Sequence, residues 1–302
     1  QHHISSSVYD YAVISSGKFY AFMAQTLKEH IRFSQTLQNI SKHSVTLCGG
    51  EILEAEKIFS SVPKTQQKIP KGLWQKFYGW HVKAENPIFS PEKAVVMDFF
   101  KEQPTKTSGD TVGGAFGFNY VLPFSSHEAL IEPTVFSSHG TEEKYYFETI
   151  RDDYLKKRGA GETHVLHTET ACLPMAVLPL AEDANGATPI GAAAGWLRPA
   201  TGYSFLTALR LAEKISQSQK LDAPPPYSKP LLAMDKIFLT VAQRTPECMP
   251  SLFANWFTAP QQDSFIRFLQ NENMHFNDVW EVVRHTPYKR AFLKALLTLG
   301  RN

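Results

Sequence analysis

Period-two alternation of apolar and polar residues fills the middle of the chain, and three-to-four spacing fills its flanks. The alternation starts at Trp74. Within residues 94–100, Ala94, Val96, Asp98 and Phe100 share one strand face, and Val95, Met97 and Phe99 share the other. Phe116, Phe118, Tyr120 and Leu122 alternate in the same way until Pro123 stops the strand. Ser125, Ser126, His127 and Glu128 make a turn, and Leu130, Glu132, Thr134 and Phe136 return on one face. Side chains on a strand point to opposite faces in turn, so this pattern predicts an antiparallel meander of three strands.

Upstream, residues 1–10 lack periodicity, residues 11–14 predict a short strand, and Gly17 precedes a helix with Phe19, Phe22, Met23, Thr26 and Leu27 on its apolar side. Residues 45–47 and 51–59 read as short strands about the Gly49-Gly50 turn. Downstream of the meander, residues 142–158 are charged and helical, and 207–215 form a helix with Leu209, Leu211, Ala212 and Ile215 as apolar positions. Beyond a proline-rich break at 221–230 the chain is helical, over 231–241, 249–257, 262–269 and 277–283. A last helix takes Thr286 as N-cap and Pro287 as its first residue, with Phe292, Leu296 and Leu299 as its stripe. Three polar loops separate these parts: a basic connector at 61–72, a glycine-rich loop at 101–115 and a loop at 182–190. No internal repeat is present.

Composition changes this picture little. With 43% hydrophobic and 20% charged residues among 302, the chain has a core to bury and is not a disordered one. A formal charge of +2 creates no field that would favour nucleic acid. The 21 Phe suit a phenylalanine-heavy core and equally a large apolar ligand. Cys48, Cys172 and Cys248 are dispersed, without a CxxC or Cys/His cluster, which points to a reducing compartment and to no metal site. The longest apolar run, 171–181, is broken by Pro174 and Pro179 and falls short of the roughly 20 residues needed to span a bilayer. No signal peptide is visible, and a first residue Gln1 in place of Met leads us to expect that the start is missing.

Candidate chemistry centres on Glu132. It lies among apolar strand residues, and Pro133 after it favours an extended backbone. A carboxyl in such a place is desolvated, keeps its proton near neutrality and can protonate an unactivated alkene. An acid turned to water, or paired with Lys or Arg, would give the same pattern, and the alternation leaves both readings open. Asp98, inside AVVMDFF, is either a second acid or a satisfied structural one. The second candidate stretch is GAAAGWLRPATGYSF, 191–205: small residues let a ligand approach backbone, and amides at a following helix start suit phosphate or an electron-rich ring edge. Tight helix packing would use the same small residues. GxGxxG, Walker, HExxH and GxSxG motifs are all absent.

Taken in order, YDYAVISSGKFYAFM (9–23), AEKIFSSVP (55–63), WQKFYGWHV (74–82), AVVMDFF (94–100), FNYVLPFSSHEALIEPTVFS (118–137), GAAAGWLRPATGYSF, MDKIFLTVAQRTPECMPSLFANWF (234–257) and FIRFL (265–269) resemble the lycopene β-cyclases of the bacterial, Bacteroidetes-like branch. The resemblance implies an α/β (α+β) fold of the flavoprotein-hydroxylase type with an antiparallel substrate sheet and a helical C-terminal cap. It divides the chain into a remainder of the FAD-binding domain (1–72 and 182–220), a substrate domain (73–181) and a helical region (221–302). The family's acid carries over to Glu132, while the acid that often follows it is Pro133 here. Gly191, Gly195, Pro199, Thr201, Gly202 and Tyr203 are the cofactor-facing positions, and Phe118 and Tyr120 offer aromatic faces to the substrate. The implied function is non-redox closure of the linear ends of lycopene, or a related linear carotenoid, to β-ionone rings beside reduced FAD, at the cytoplasmic surface of a membrane. The segment for adenine and pyrophosphate has no counterpart, so either an N-terminal truncation or a relic that no longer holds FAD by itself is expected. An FAD-dependent monooxygenase, an isoprenoid reductase and a non-catalytic carotenoid- or lipid-binding module are the rival functions.

Overall fold

The computed structural model describes residues 4–6, 8–62, 72–101, 116–138, 143–177, 186–218, 223–258, 262–271 and 274–299. Most of the basic connector, nearly all of the glycine-rich loop and half of the 182–190 loop lie outside these residues, as do His2 and His3. The first elements are α1 (Ser16–Thr26), β1 (Leu37–Ile40), β2 (Ser44–Leu47), β3 (Ile52–Glu54) and β4 (Phe59–Ser60). The strands β1, β2 and β3 form a small antiparallel sheet. The strand expected at 51–59 is split in two because its ends pair differently: β3 joins β2, and β4 runs parallel to residues 188–189. Residues 11–14 are not a strand. They run without a ladder, and the Tyr11 hydroxyl is hydrogen-bonded to that of Tyr120 instead.

The main sheet is built from β5 (Leu73–Ala84), β6 (Val95–Phe99), β7 (Phe116–Pro123) and β8 (Glu128–Ser137), then, after helix α2 (Lys144–Lys157), β9 (Thr163–Met175). Its order is β6-β7-β8-β5-β9, and every pair is antiparallel. The expected meander is present as β6, β7 and β8, and the long strand β5 widens it by joining β8 to β9. One face packs on α2: Trp80, Val82, Val121, Ala129, Ile131 and Val135 meet Phe147, Tyr154 and Leu155. Those three recur at helical spacing and form the apolar stripe of an otherwise charged helix. A register shift between Val95 and Asp98 turns Val95 into this same cluster, away from Met97 and Phe99.

The chain continues through β10 (Thr188–Pro189), α3 (Phe205–Gln217), α4 (Lys229–Arg244), α5 (Met249–Phe257), α6 (Gln262–Gln270), α7 (Phe276–Arg284) and α8 (Lys289–Leu299). Helices α4 to α8 roof one end of the second sheet face. There Leu73, Phe116, Phe118, Phe136 and Met175 share a core with Leu231, Leu239, Met249, Leu252, Trp256 and Phe265. Burying each such side chain is worth about 1.5–3 kcal/mol, so this roof is held mainly by apolar contact. The last helix starts two residues later than its sequence predicts. The Thr286 hydroxyl donates to the Val282 carbonyl (2.6 Å) and accepts from Trp256 Nε1 (3.1 Å), which makes it an end to α7 rather than a cap for α8.

A buried ion pair joins the 191–204 loop to the roof. Arg198 Nε and Nη2 donate to the two carboxylate oxygens of Asp235 on α4 at 3.2 and 3.0 Å. Its Nη1 donates to the carbonyls of Phe268 (2.5 Å) and Leu269 (2.8 Å) on α6, and both charged residues are 2% exposed. Removing one partner of a buried pair strands the other charge, at about 3–5 kcal/mol. Arg198→Met should therefore lower unfolding stability in urea by about that amount, and adding Asp235→Leu should recover part of the loss.

Candidate active site

On the second sheet face, beyond the edge of the helical roof, three strands place chemistry-bearing residues in one row. Tyr120 of β7 pairs with Glu132 of β8. The β5–β8 register, with Phe77 opposite Thr134 and Trp80 opposite Ile131, brings Gly79 level with Glu132. Gly79 in turn pairs with Glu169 of β9. A Cβ at position 79 would stand 2.7 Å from Glu169 Cγ and 3.1 Å from Glu169 Oε1, so the Glu169 side chain fills the space that the glycine leaves open.

Glu132 is half-buried, with Pro133 and Ile131 buried on either side. Desolvation, then the neighbouring charge of Glu169, raises its pKa from the ordinary 4.5 to about 8, and a hydrogen bond from the Thr134 hydroxyl at 3.4 Å offsets only a little of this. No Lys or Arg pairs with Glu132 among the described residues. The site thus presents a neutral carboxylic acid at pH 7, able to give a proton.

The GAAAGWLRPATGYSF stretch lies over the same face. Gly191–Ala194 form one 3₁₀ turn, closed by Gly195 in the left-handed region. A second bend follows: the amides of Thr201 and Gly202 donate to the Arg198 carbonyl at 3.2 and 2.8 Å, and the Arg198 amide donates to the Tyr203 carbonyl at 2.9 Å. Gly202 has φ +71°, and a Cβ there would come within 3.3 Å of Gln75 Oε1 and Leu173 Cδ1. Gln75 and Leu173 stand opposite each other on β5 and β9, on the face of Gly79. Buried Pro199 lies within the second bend, and Tyr203 is exposed at the rim. Tyr11 links the parts: its hydroxyl is hydrogen-bonded to that of Tyr120, and it lies within electrostatic reach of Tyr203. Burial of its hydroxyl end, then Tyr203 and Glu132, push its phenol above the ordinary range.

The structure separates other residues that the sequence had put forward. Asp98 lies across the sheet from Glu132, on the side of α2, where Arg158 Nη2 donates to it at 3.3 Å. That face and that partner correct its reading as a second acid. Phe118 is on the face of Glu132 but buried, edge-on to Phe99 and against Phe136, so it serves the core. His127, in the turn between β7 and β8, is half-buried and tethered by Nδ1 to the Ala84 carbonyl at 3.1 Å.

Three residues of the site were not legible as such. Tyr11 sits in an irregular segment with no pattern to mark it. Glu169 is an exposed strand residue, signalled only by Gly79 inside the strand opposite. Arg198 had a usable signal: a lone cation in an apolar run, matched by Asp235 on the Leu231–Leu239 stripe of a helix.

The family model for the lycopene cyclase protein matches residues 1–295. The chain belongs to the lycopene cyclase family. Among its curated relatives, the lycopene beta-cyclase of Pseudescherichia vulneris is 27% identical over 223 residues, 72% of this chain and 55% of that protein. The lycopene beta-cyclase of a Paracoccus species is 28% identical over 200 residues, 65% of this chain and 48% of that protein. This member of the cyclase family therefore spans about half the length of those relatives. Among solved structures, a geranylgeranyl bacteriochlorophyll reductase-like protein from Thermoplasma acidophilum aligns over 92% of this chain and 73% of its own, with TM-score 0.48 and 11% identity.

Because folding raises the pKa of Glu132, its contribution to stability is complete below about pH 4.5 and is lost as pH rises through about 8. Between pH 6 and 9 the cyclase-family chain should lose about 3 kcal/mol more stability than its Glu132→Gln variant, read from urea midpoints at each pH.

Proposed function

We propose that this chain performs the acid-initiated, redox-neutral cyclisation of a linear carotenoid end, with lycopene as substrate and β-ionone ends as product. The observation that carries this reading is the neutral, sheltered carboxyl of Glu132, with no Lys or Arg paired to it among the described residues. Its membership of the lycopene cyclase family supports the substrate class.

In the proposed reaction the Glu132 carboxyl gives its proton to the terminal double bond of the ψ-end. The new C–H bond leaves a tertiary cation, which the next alkene attacks to close a six-membered ring. Loss of a proton from the ring then gives the β-ionone double bond, so substrate and product are isomers and no electrons change hands. The ring of Tyr120, opposite Glu132, is placed to stabilise the passing cation by about 1–2 kcal/mol in a dry site.

The residues of the two bends fit the ring edge of a flavin. Gln75 Oε1 is a buried acceptor with no partner among the described residues, and it lies beside the side-chain-free surface of Gly202. The helix that follows, α3, starts without a side-chain cap at Ser204, which leaves its first amides open to an acceptor. Gly191, Gly195, Pro199, Thr201, Gly202 and Tyr203 would hold the cofactor, and reduced FAD would supply an electron-rich face beside the cation. We assign 1–72 with 182–220 to the flavin side, 73–181 to the substrate sheet and 221–302 to the helical cap.

No helix among the described residues is long and apolar enough to cross a membrane. A carotenoid dissolves in the bilayer, and we propose peripheral contact from the cytoplasmic side through α8. Exposed Leu293, Leu296 and Leu297 there lie on one helix with exposed Lys289, Arg290 and Lys294.

Expressed in cells that accumulate lycopene, the chain should yield ring-closed product of unchanged mass, and Glu132→Gln should reduce it by about 100-fold or more. Undiminished β-carotene from the variant would remove Glu132 from the role. A product heavier by oxygen or hydrogen would replace cyclisation with oxygenation or reduction.

A further inference from the structure

Along its own strand on this face Glu132 is flanked by Leu130 and Thr134, and the ionisable residue of that strand, Glu128, stands four residues away beside His81 and Lys83. The nearest one comes from across the sheet. The side chain of Glu169 lies over Gly79, within 3.1 Å of where a Cβ would be, and Gly79 is level with Glu132. Any residue other than glycine at position 79 would block that approach. Neither carboxyl is paired with Lys or Arg among the described residues.

The other groups on this face are accounted for. Tyr120 from β7, Tyr11 from the lead-in and Tyr203 from the bend bring only phenols. His81 from β5 and Lys83 beside it each lie 3.7 Å from Glu128, further along the sheet. His167 on β9 stands opposite His81, one step beyond Glu169. Glu169 is thus the charge placed to act on Glu132. A negative charge near a more sheltered carboxyl disfavours loss of that carboxyl's proton. Glu169 is exposed and Glu132 is half-buried.

We propose that Glu169 is a positioning residue for the proton of Glu132: laid across Gly79, its negative charge keeps that proton on Glu132 until an alkene takes it. The proposal rests on reading Glu132 as the proton donor. It gives β9, and the glycine in β5, a part in the chemistry beyond pairing strands.

The test titrates the Glu132 carboxyl by infrared difference spectroscopy on the whole chain, with Glu132→Gln identifying its band. Glu169→Gln should lower the midpoint by about one pH unit. Gly79→Ala, which displaces the Glu169 side chain and keeps its charge, should move the midpoint in the same direction. Coincident midpoints in the wild type and in both variants would overturn the proposal. In a cell-free ring-closure assay on lycopene, Glu169→Gln should shift the alkaline limit of product formation downward by about the same amount. The infrared midpoint is read without turnover, so ring closure that survives Glu132→Gln would end the donor assignment and leave the titration to judge Glu169 separately.

Discussion

The arrangement of this molecule depends on where one guanidinium is buried. Arg198 projects from the loop that carries both glycine bends and is satisfied by a carboxylate on α4 and two carbonyls on α6. Its plane also lies over the Phe268 ring, 4.8 Å from the centroid. A charge taken this far from water stays buried only if every donor finds an acceptor. The loop is thereby held at one height over the sheet. Tyr227 adds a second tie from the segment before α4, donating to the Trp196 carbonyl at 2.8 Å. Fixed at both points, the Gly202 bend comes to rest on Gln75 and Leu173.

The sheet beneath supplies an asymmetric environment. The face toward α2 is closed over β5, β7 and β8 by aliphatic and aromatic contacts, with the Arg151 guanidinium 4.6 Å from the Trp80 ring centroid. The opposite face is closed at one end by the helices and open toward the other, where Leu130 is half-buried and His167 and Glu169 are exposed. Glu132 stands at the border of these regions. Full burial would deny it a substrate, and full exposure would lower its pKa to the ordinary carboxylate range. The partial shelter of β8 at this point makes the acid both protonated and reachable.

A second ion pair shows the contrasting case. Asp278 is 1% exposed, and burial alone would raise its pKa. Two-oxygen contact with Arg267, the His275 amide and Ser264 outweigh that, and hold the pKa at about 2. A buried acid and a half-buried one in the same chain thus differ in protonation at neutral pH. The difference lies in their partners: a guanidinium and an amide for Asp278, a second carboxylate and one weak hydroxyl for Glu132.

Local pattern determined a good deal here. The alternation from 94 to 136 specified three paired strands and put Glu132 on the face of Leu130, Thr134 and Phe136, because a strand admits only two faces. Helical spacing located most helices, and the glycines at 191, 195 and 202 marked backbone that only such residues adopt easily. Contacts between residues distant in sequence could not be read this way. A register shift in β6 sent Asp98 to Arg158; the pairing of β5 with both β8 and β9 set Glu169 across Gly79 from Glu132; a patternless tyrosine came to bond Tyr120, the cross-strand neighbour of the acid. Alternation fixes which face a side chain takes, but long-range pairing and burial decide what meets it there, and the protonation of Glu132 is set by what it meets.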